Sequence, residues 1–129
     1  VVLVALAVAG ACFTEKSVLA GPGNPLEGCR VPVSTRPGDV VVAMRELRFV
    51  PESVRVAAGA TVVWVNCDDP ALDPGFVRHT VTSDEGAWVS SPLFGPDTVF
   101  ALTFGRAGVF PYHCIPHRAA GMVGRVIVE

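Results

Sequence analysis

The sequence predicts an all-β chain folded as a Greek-key β-sandwich of about seven to eight strands. From Asp39 onward the apolar residues come in short, β-branched runs of the kind that form strands. Glycine- and proline-containing turn signals interrupt those runs at regular spacing, and no window offers a convincing amphipathic helix. Half of the 129 residues are hydrophobic, ample for one core. The formal charge of −2 gives no electrostatic case for nucleic acid.

Three regions follow one another. Residues 1–11 are apolar or small and uncharged. A bilayer span needs about 20 residues, so this run fits the hydrophobic region of a signal peptide better. Two processing sites compete after it. Ala9-Gly10-Ala11 before Cys12 resembles a bacterial lipoprotein box, although the usual Leu three residues before the cysteine is missing. Val18-Leu19-Ala20 would suit ordinary signal cleavage. The lipoprotein reading, with lipid on Cys12, is preferred, because a cysteine directly after small residues at the end of a hydrophobic run is otherwise unexplained. Residues 12–38 carry Gly21-Pro22-Gly23-Asn24-Pro25, Pro32 and Pro37-Gly38 without apolar periodicity and read as a tether. Residues 39–129 form the domain. Its expected strands are Val40–Met44, Ser53–Val56, Thr61–Val65, Thr80–Thr82, Val99–Phe104, Gly108–Cys114 and Val123–Val128, with turns at Ala57–Ala60 and Phe104–Gly108.

The chemistry concentrates in Cys114-Ile115-Pro116-His117-Arg118-Ala119-Ala120-Gly121-Met122. A thiolate, an imidazole and a thioether fall within nine residues. Each alone reads more simply as a core side chain, but the chain has only three His and two Met, so the clustering carries weight. His79, in the strand-like Arg78-His79-Thr80-Val81-Thr82, supplies a second imidazole. Two His, one Cys and a weak axial Met are the donor set of a blue-copper electron-transfer centre. Sulfur ligands favour Cu(I) while imidazoles also serve Cu(II), and a thioether is a poor zinc ligand. Pro116 restrains the loop and Gly121 permits a tight bend before Met122. With Cys114 facing into the sandwich, His113 should face away.

Val109-Phe110-Pro111-Tyr112-His113-Cys114-Ile115-Pro116-His117, followed by Gly121-Met122-Val123-Gly124-Arg125-Val126-Ile127-Val128, resembles the copper-loop strand pair of the small cupredoxins, the plastocyanin group in particular. The C-x2-H-x4-M spacing matches plastocyanin and not azurin. Phe49–Val56 and Gly59–Asn66 look like the strands that precede the first histidine ligand. The resemblance spans residues 40–129; the segment Cys67–Arg78 makes a longer approach to His79 than in a minimal plastocyanin. It implies one type 1 copper ion cycling between Cu(I) and Cu(II), held by His79, Cys114, His117 and Met122. It further implies that the loop histidine surfaces in an apolar patch and carries electrons out. That role falls to His117, with Pro116, Ala119, Ala120, Leu93 and Phe94 around it. Arg118 departs from an apolar surround and is either a partner-selecting charge or an ordinary solvated one. The implied partners of this monomer are redox proteins such as cytochromes or membrane electron-transfer complexes. They would be met in the periplasm or at the outer face of the cytoplasmic membrane.

Cys29 and Cys67 are the cysteines left without a role. In an exported chain they are expected to pair, the alternative being two separate buried thiols. Closing about 37 residues would contribute roughly 3–4 kcal/mol in the chain-entropy model. An enzymatic rival, a copper nitrite reductase or oxidase fragment, also places a His directly before the blue-copper Cys. With His79 and His117 used, however, only His113 is left for a second copper. A copper chaperone or storage module is the remaining alternative, although such proteins favour Met-rich or multi-Cys binding.

Overall fold

The computed structural model describes residues 24–129 except 73 and 76. The hydrophobic run at 1–11, Cys12, Val18–Ala20 and the start of the 12–38 segment lie outside the described residues. Among the described residues there are eight strands: β1 (Val40–Arg45), β2 (Arg48–Val50), β3 (Ser53–Val56), β4 (Thr61–Asn66), β5 (Thr82–Ser83), β6 (Val99–Thr103), β7 (Gly108–His113) and β8 (Val123–Val128). They form two four-stranded sheets, β2-β1-β4-β6 and β3-β8-β7-β5. Only the β1–β2 and β7–β8 connections stay within a sheet. Every other connection crosses to the opposite one, the winding of a Greek-key sandwich. β1 runs parallel to β4 and β3 parallel to β8; the remaining pairs are antiparallel. Among the described residues no helix is long and apolar enough to cross a membrane.

Alternation places one side of each strand inside. In β3, Val54 and Val56 are buried while Ser53 and Arg55 are exposed, and β8 repeats the pattern with Val126 and Val128. Trp64 lies at the centre, its ring 5.3 Å from Tyr112, 6.0 Å from Phe100 and 6.4 Å from Phe104. Tyr112 stands edge-on to Phe49 at 4.7 Å. Gly124, opposite Tyr112 in the β7–β8 ladder, makes room for that ring: a Cβ there would meet it at 2.5 Å.

Two elements differ from the sequence expectation. The short β2 is formed because Glu46 and Leu47, with φ of 50° and 59°, turn the chain back so that Phe49 pairs with Met44. The expected Thr80–Thr82 strand begins only at Thr82, and His79 makes an isolated bridge with Phe94. The intervening backbone finds other partners. Thr80 N–H points at the Cys114 sulfur, and Val81 N–H donates to Ser91 Oγ at 2.8 Å.

The 24–38 segment is tied to the sheet along much of its length. Cys29 and Cys67 form a disulfide with Cα atoms 4.8 Å apart. The Arg45 guanidinium donates to the carbonyls of Pro25 and Glu27. Arg30 pairs with Asp69 and Asp97, and Arg36 Nη2 donates to Thr61 Oγ1 at 3.2 Å.

Candidate metal centre

Cys114 follows the last residue of β7, and Met122 precedes the first residue of β8. The hairpin ladder continues one step beyond the strands: Cys114 N–H donates to the Met122 carbonyl at 3.0 Å. Between them the chain closes on itself. His117 N–H donates to Cys114 O at 3.3 Å, Ala120 N–H to His117 O at 3.0 Å and Met122 N–H to His117 O at 3.2 Å. A 3-10 turn at Arg118–Ala120 ends on Gly121, whose φ of 86° lies in the left-handed region. Hydrogen bonding within one hairpin loop therefore sets the relative positions of three of the four predicted ligands.

His79 arrives from a separate segment, just ahead of β5. Its backbone exchanges two 3.0 Å hydrogen bonds with Phe94. The Asn66 amide donates to Phe94 O at 3.2 Å and Val77 O at 2.8 Å, gripping both sides of the histidine. Thr80 joins this segment to the loop. Its N–H points at Cys114 Sγ from 3.4 Å, and its hydroxyl accepts from Ile115 N–H at 2.9 Å.

The donor atoms converge. His79 Nδ1 and His117 Nδ1 are 3.1 Å apart, Cys114 Sγ is 3.5 Å from His117 Nδ1 and 3.7 Å from His79 Nδ1. All three residues are buried, and among the described residues theirs is the one His/Cys/Asp/Glu cluster able to hold a metal. Atoms about 2.0–2.3 Å from a common ion, the usual range for imidazole and thiolate ligands, have mutual spacings of this size. The donor set therefore fits a copper ion. Met122 is fully buried and bonded through its backbone to both Cys114 and His117.

His79 Nε2–H donates to Asp68 Oδ2 at 2.5 Å, leaving Nδ1 directed at the other donors. Burial alone would lower the pKa of His79, but Asp68 and Cys114 outweigh it and raise it to about 9. Neither Asp68 nor the bracing groups Asn66 and Thr80 were among the candidate site residues. The only sequence signal was a carboxylate shortly after a buried strand.

His113 faces away from the cluster and pairs with Asp84 Oδ1 at 2.5 Å. Pro116, Arg118, Ala119 and Ala120 are exposed around His117, which keeps 8% of its surface accessible. Ile115 and Leu93, 57% and 49% exposed, extend the apolar surface of the chain. Phe94 does not join it, being a core residue whose backbone is committed to the bridge with His79.

Known proteins resemble this chain in sequence and fold. A family model described as copper binding proteins, plastocyanin/azurin family, matches residues 38–129. Amicyanin from Paracoccus versutus is 30% identical over 129 residues, covering all of this chain and 90% of that protein. Plastocyanin from Vicia faba is 35% identical over 95 residues, 64% of this chain and 89% of that protein. The crystal structure of Paracoccus versutus amicyanin matches with a TM-score of 0.57 at 27% identity, over 78% of this chain and 86% of that one. A purple cupredoxin from Nitrosopumilus maritimus shares the fold, with a TM-score of 0.58 at 24% identity, over 70% of this chain and all of that one. The cofactor of such proteins is one type 1 copper ion, and the cluster of His79, Cys114 and His117 is where this chain can hold it. On its matched length and its donor set, the chain belongs to the plastocyanin/azurin family of copper-binding proteins, the cupredoxins.

Proposed function

We propose that the protein is an exported blue-copper carrier that passes single electrons between redox partners and catalyses no substrate conversion of its own. His79 Nδ1, Cys114 Sγ and His117 Nδ1 would hold the ion, with Met122 as a weak fourth donor. The observation that carries this reading is the triangle of buried donor atoms, 3.1–3.7 Å on a side. Bound copper supplies a one-electron Cu(I)/Cu(II) couple. The protein's part is to hold the donors still. The hydrogen-bonded loop fixes Cys114 and His117, the Phe94 bridge fixes His79, and the Thr80 N–H stabilises negative charge on the thiolate.

His117 is the ligand nearest solvent in the loop, and its edge, with Pro116, Ala119 and Ala120, is the surface through which electrons enter and leave. Cytochromes or membrane electron-transfer complexes are the partner class, meeting a monomeric carrier. The Cys29–Cys67 disulfide suits an oxidising compartment outside the cytoplasm. Lipid on Cys12 would keep the domain at the outer face of the cytoplasmic membrane.

The deciding experiment is visible absorption and electron paramagnetic resonance of the Cu(II)-loaded protein, followed by ascorbate. An intense blue band with narrow hyperfine splitting that bleaches reversibly is expected. A pale spectrum would sink the carrier reading in favour of a copper chaperone or storage module.

A further inference from the structure

The carboxylate behind His79 is held more firmly than a chance contact requires. Asp68 is buried, and its two oxygens are committed to different donors: Oδ1 accepts the Glu46 N–H at 2.9 Å and Oδ2 accepts His79 Nε2–H. Its own N–H donates to Asn66 Oδ1 at 3.1 Å. The residue before it, Cys67, is bonded to Cys29 and donates its N–H to Met44 O at 2.9 Å. The Glu46 N–H reaches Asp68 from a turn in which Glu46 and Leu47 both take positive φ. Such conformations cost non-glycine residues free energy, so the turn is maintained by what surrounds it. On the other side, Arg45 fastens the Pro25–Glu27 turn against the same disulfide.

We propose that Asp68 is a positioning residue of the copper site. Clamped between the Glu46 turn and the Cys29–Cys67 disulfide, it fixes the Nε2–H tautomer and the ring orientation of His79, so that Nδ1 is presented to the metal. This rests on the blue-copper reading and deepens it. A carboxylate hydrogen-bonded to a ligating imidazole raises the basicity of the ligand and prevents the ring from turning, and losing such a partner costs about 10–100-fold in metal affinity. The negative charge also favours Cu(II) over Cu(I).

Full-length wild type, Asp68→Asn and Asp68→Ala provide the test. Asn keeps the size of Asp but offers one acceptor where two donors converge; Ala offers none. Both variants should bind Cu(II) about 10–100-fold more weakly. Both should show a raised reduction potential, by about 59 mV for each tenfold of affinity lost by Cu(II) relative to Cu(I). In the zinc-loaded protein, nuclear magnetic resonance should show a slowly exchanging His79 Nε2–H in wild type that Asp68→Ala loses. If Asp68→Ala does not fold, Asp68→Asn still decides through affinity and potential. Wild-type affinity, potential and Nε2–H signal in the folded variants, even with lowered thermal stability, would reduce Asp68 to a structural residue and overturn the proposal. A wild type that binds copper without turning blue would overturn the proposed function instead, and the zinc-loaded signal would still decide Asp68.

Discussion

Cys114, His117 and Met122 sit in one turn whose backbone–backbone hydrogen bonds run between near neighbours in the chain. His79 is held by residues drawn from far apart: Glu46, Asn66, Asp68, Phe94 and, through the disulfide, Cys29. The loop takes most of its shape from the β7–β8 hairpin, with Thr80 as a long-range hydrogen-bond partner. The His79 side needs Asn66 at the end of β4 and the separate Phe94 segment, which reach it from opposite directions along the sequence. The candidate metal site thus joins a largely locally encoded half to a half that exists only in the folded sandwich. Damage to the first should remove chemistry, whereas damage to the second should remove stability and geometry.

The largest effect belongs to the loop. Cys114→Ser replaces the thiolate with a hydroxyl, a donor without the charge-transfer absorption of sulfur. Intense colour should vanish while the folded baseline in circular dichroism persists, since the loop's backbone bonds do not involve the side chain. An equally blue variant would break the comparison at its root.

This difference also explains what could be read from the sequence. The candidate ligand loop was legible because its Cys, His and Met lie within nine residues and their spacing is itself the signal. The strands were legible from β-branched runs, and Cys114 facing in with His113 facing out follows from strand alternation. Asp68 was not legible. Eleven positions separate it from His79 across an irregular segment, and nothing local marks its carboxylate as aimed at an imidazole. β2 escaped notice because three residues carry no period, and its formation depends on a turn of two positive-φ residues. Phe94 read as a surface neighbour of His117 because no sequence pattern reveals that its backbone bridges His79. From residue 24 onward the segment read as a tether is tied down by Arg45, Arg30 and Cys29, all of them long-range contacts.

The next effect acts on the assembled half. Cys29→Ala with Cys67→Ala opens a loop of 38 residues' separation and should lower unfolding free energy by roughly 3–4 kcal/mol, read from denaturant midpoints. Blue colour should survive below the transition, because neither cysteine contributes a metal donor. Asn66→Ala follows at about 2–3 kcal/mol. It removes the donors to Val77 O and Phe94 O and the acceptor for Asp68 N–H from a fully buried position. Here copper affinity should fall together with stability, since the same side chain grips both flanks of His79. A variant losing stability alone would show that the Phe94 bridge holds the histidine without help.

The smallest effect returns to the loop and asks whether it is self-supporting. Gly121 closes the 3-10 turn with φ at 86°, and a Cβ added there meets no atom within 4 Å. The cost of Gly121→Ala is therefore conformational, about 1 kcal/mol, and Gly121→Asn should recover part of it because Asn tolerates the left-handed region. On either side, Met122 N–H stays bonded to His117 O and Val123 N–H to Gly121 O, so the ligand positions have no reason to shift. Stability should fall slightly with the absorption spectrum unchanged. If colour were lost while stability stayed near wild type, the loop would depend on that one backbone conformation, and its apparent independence from the rest of the sandwich would be wrong.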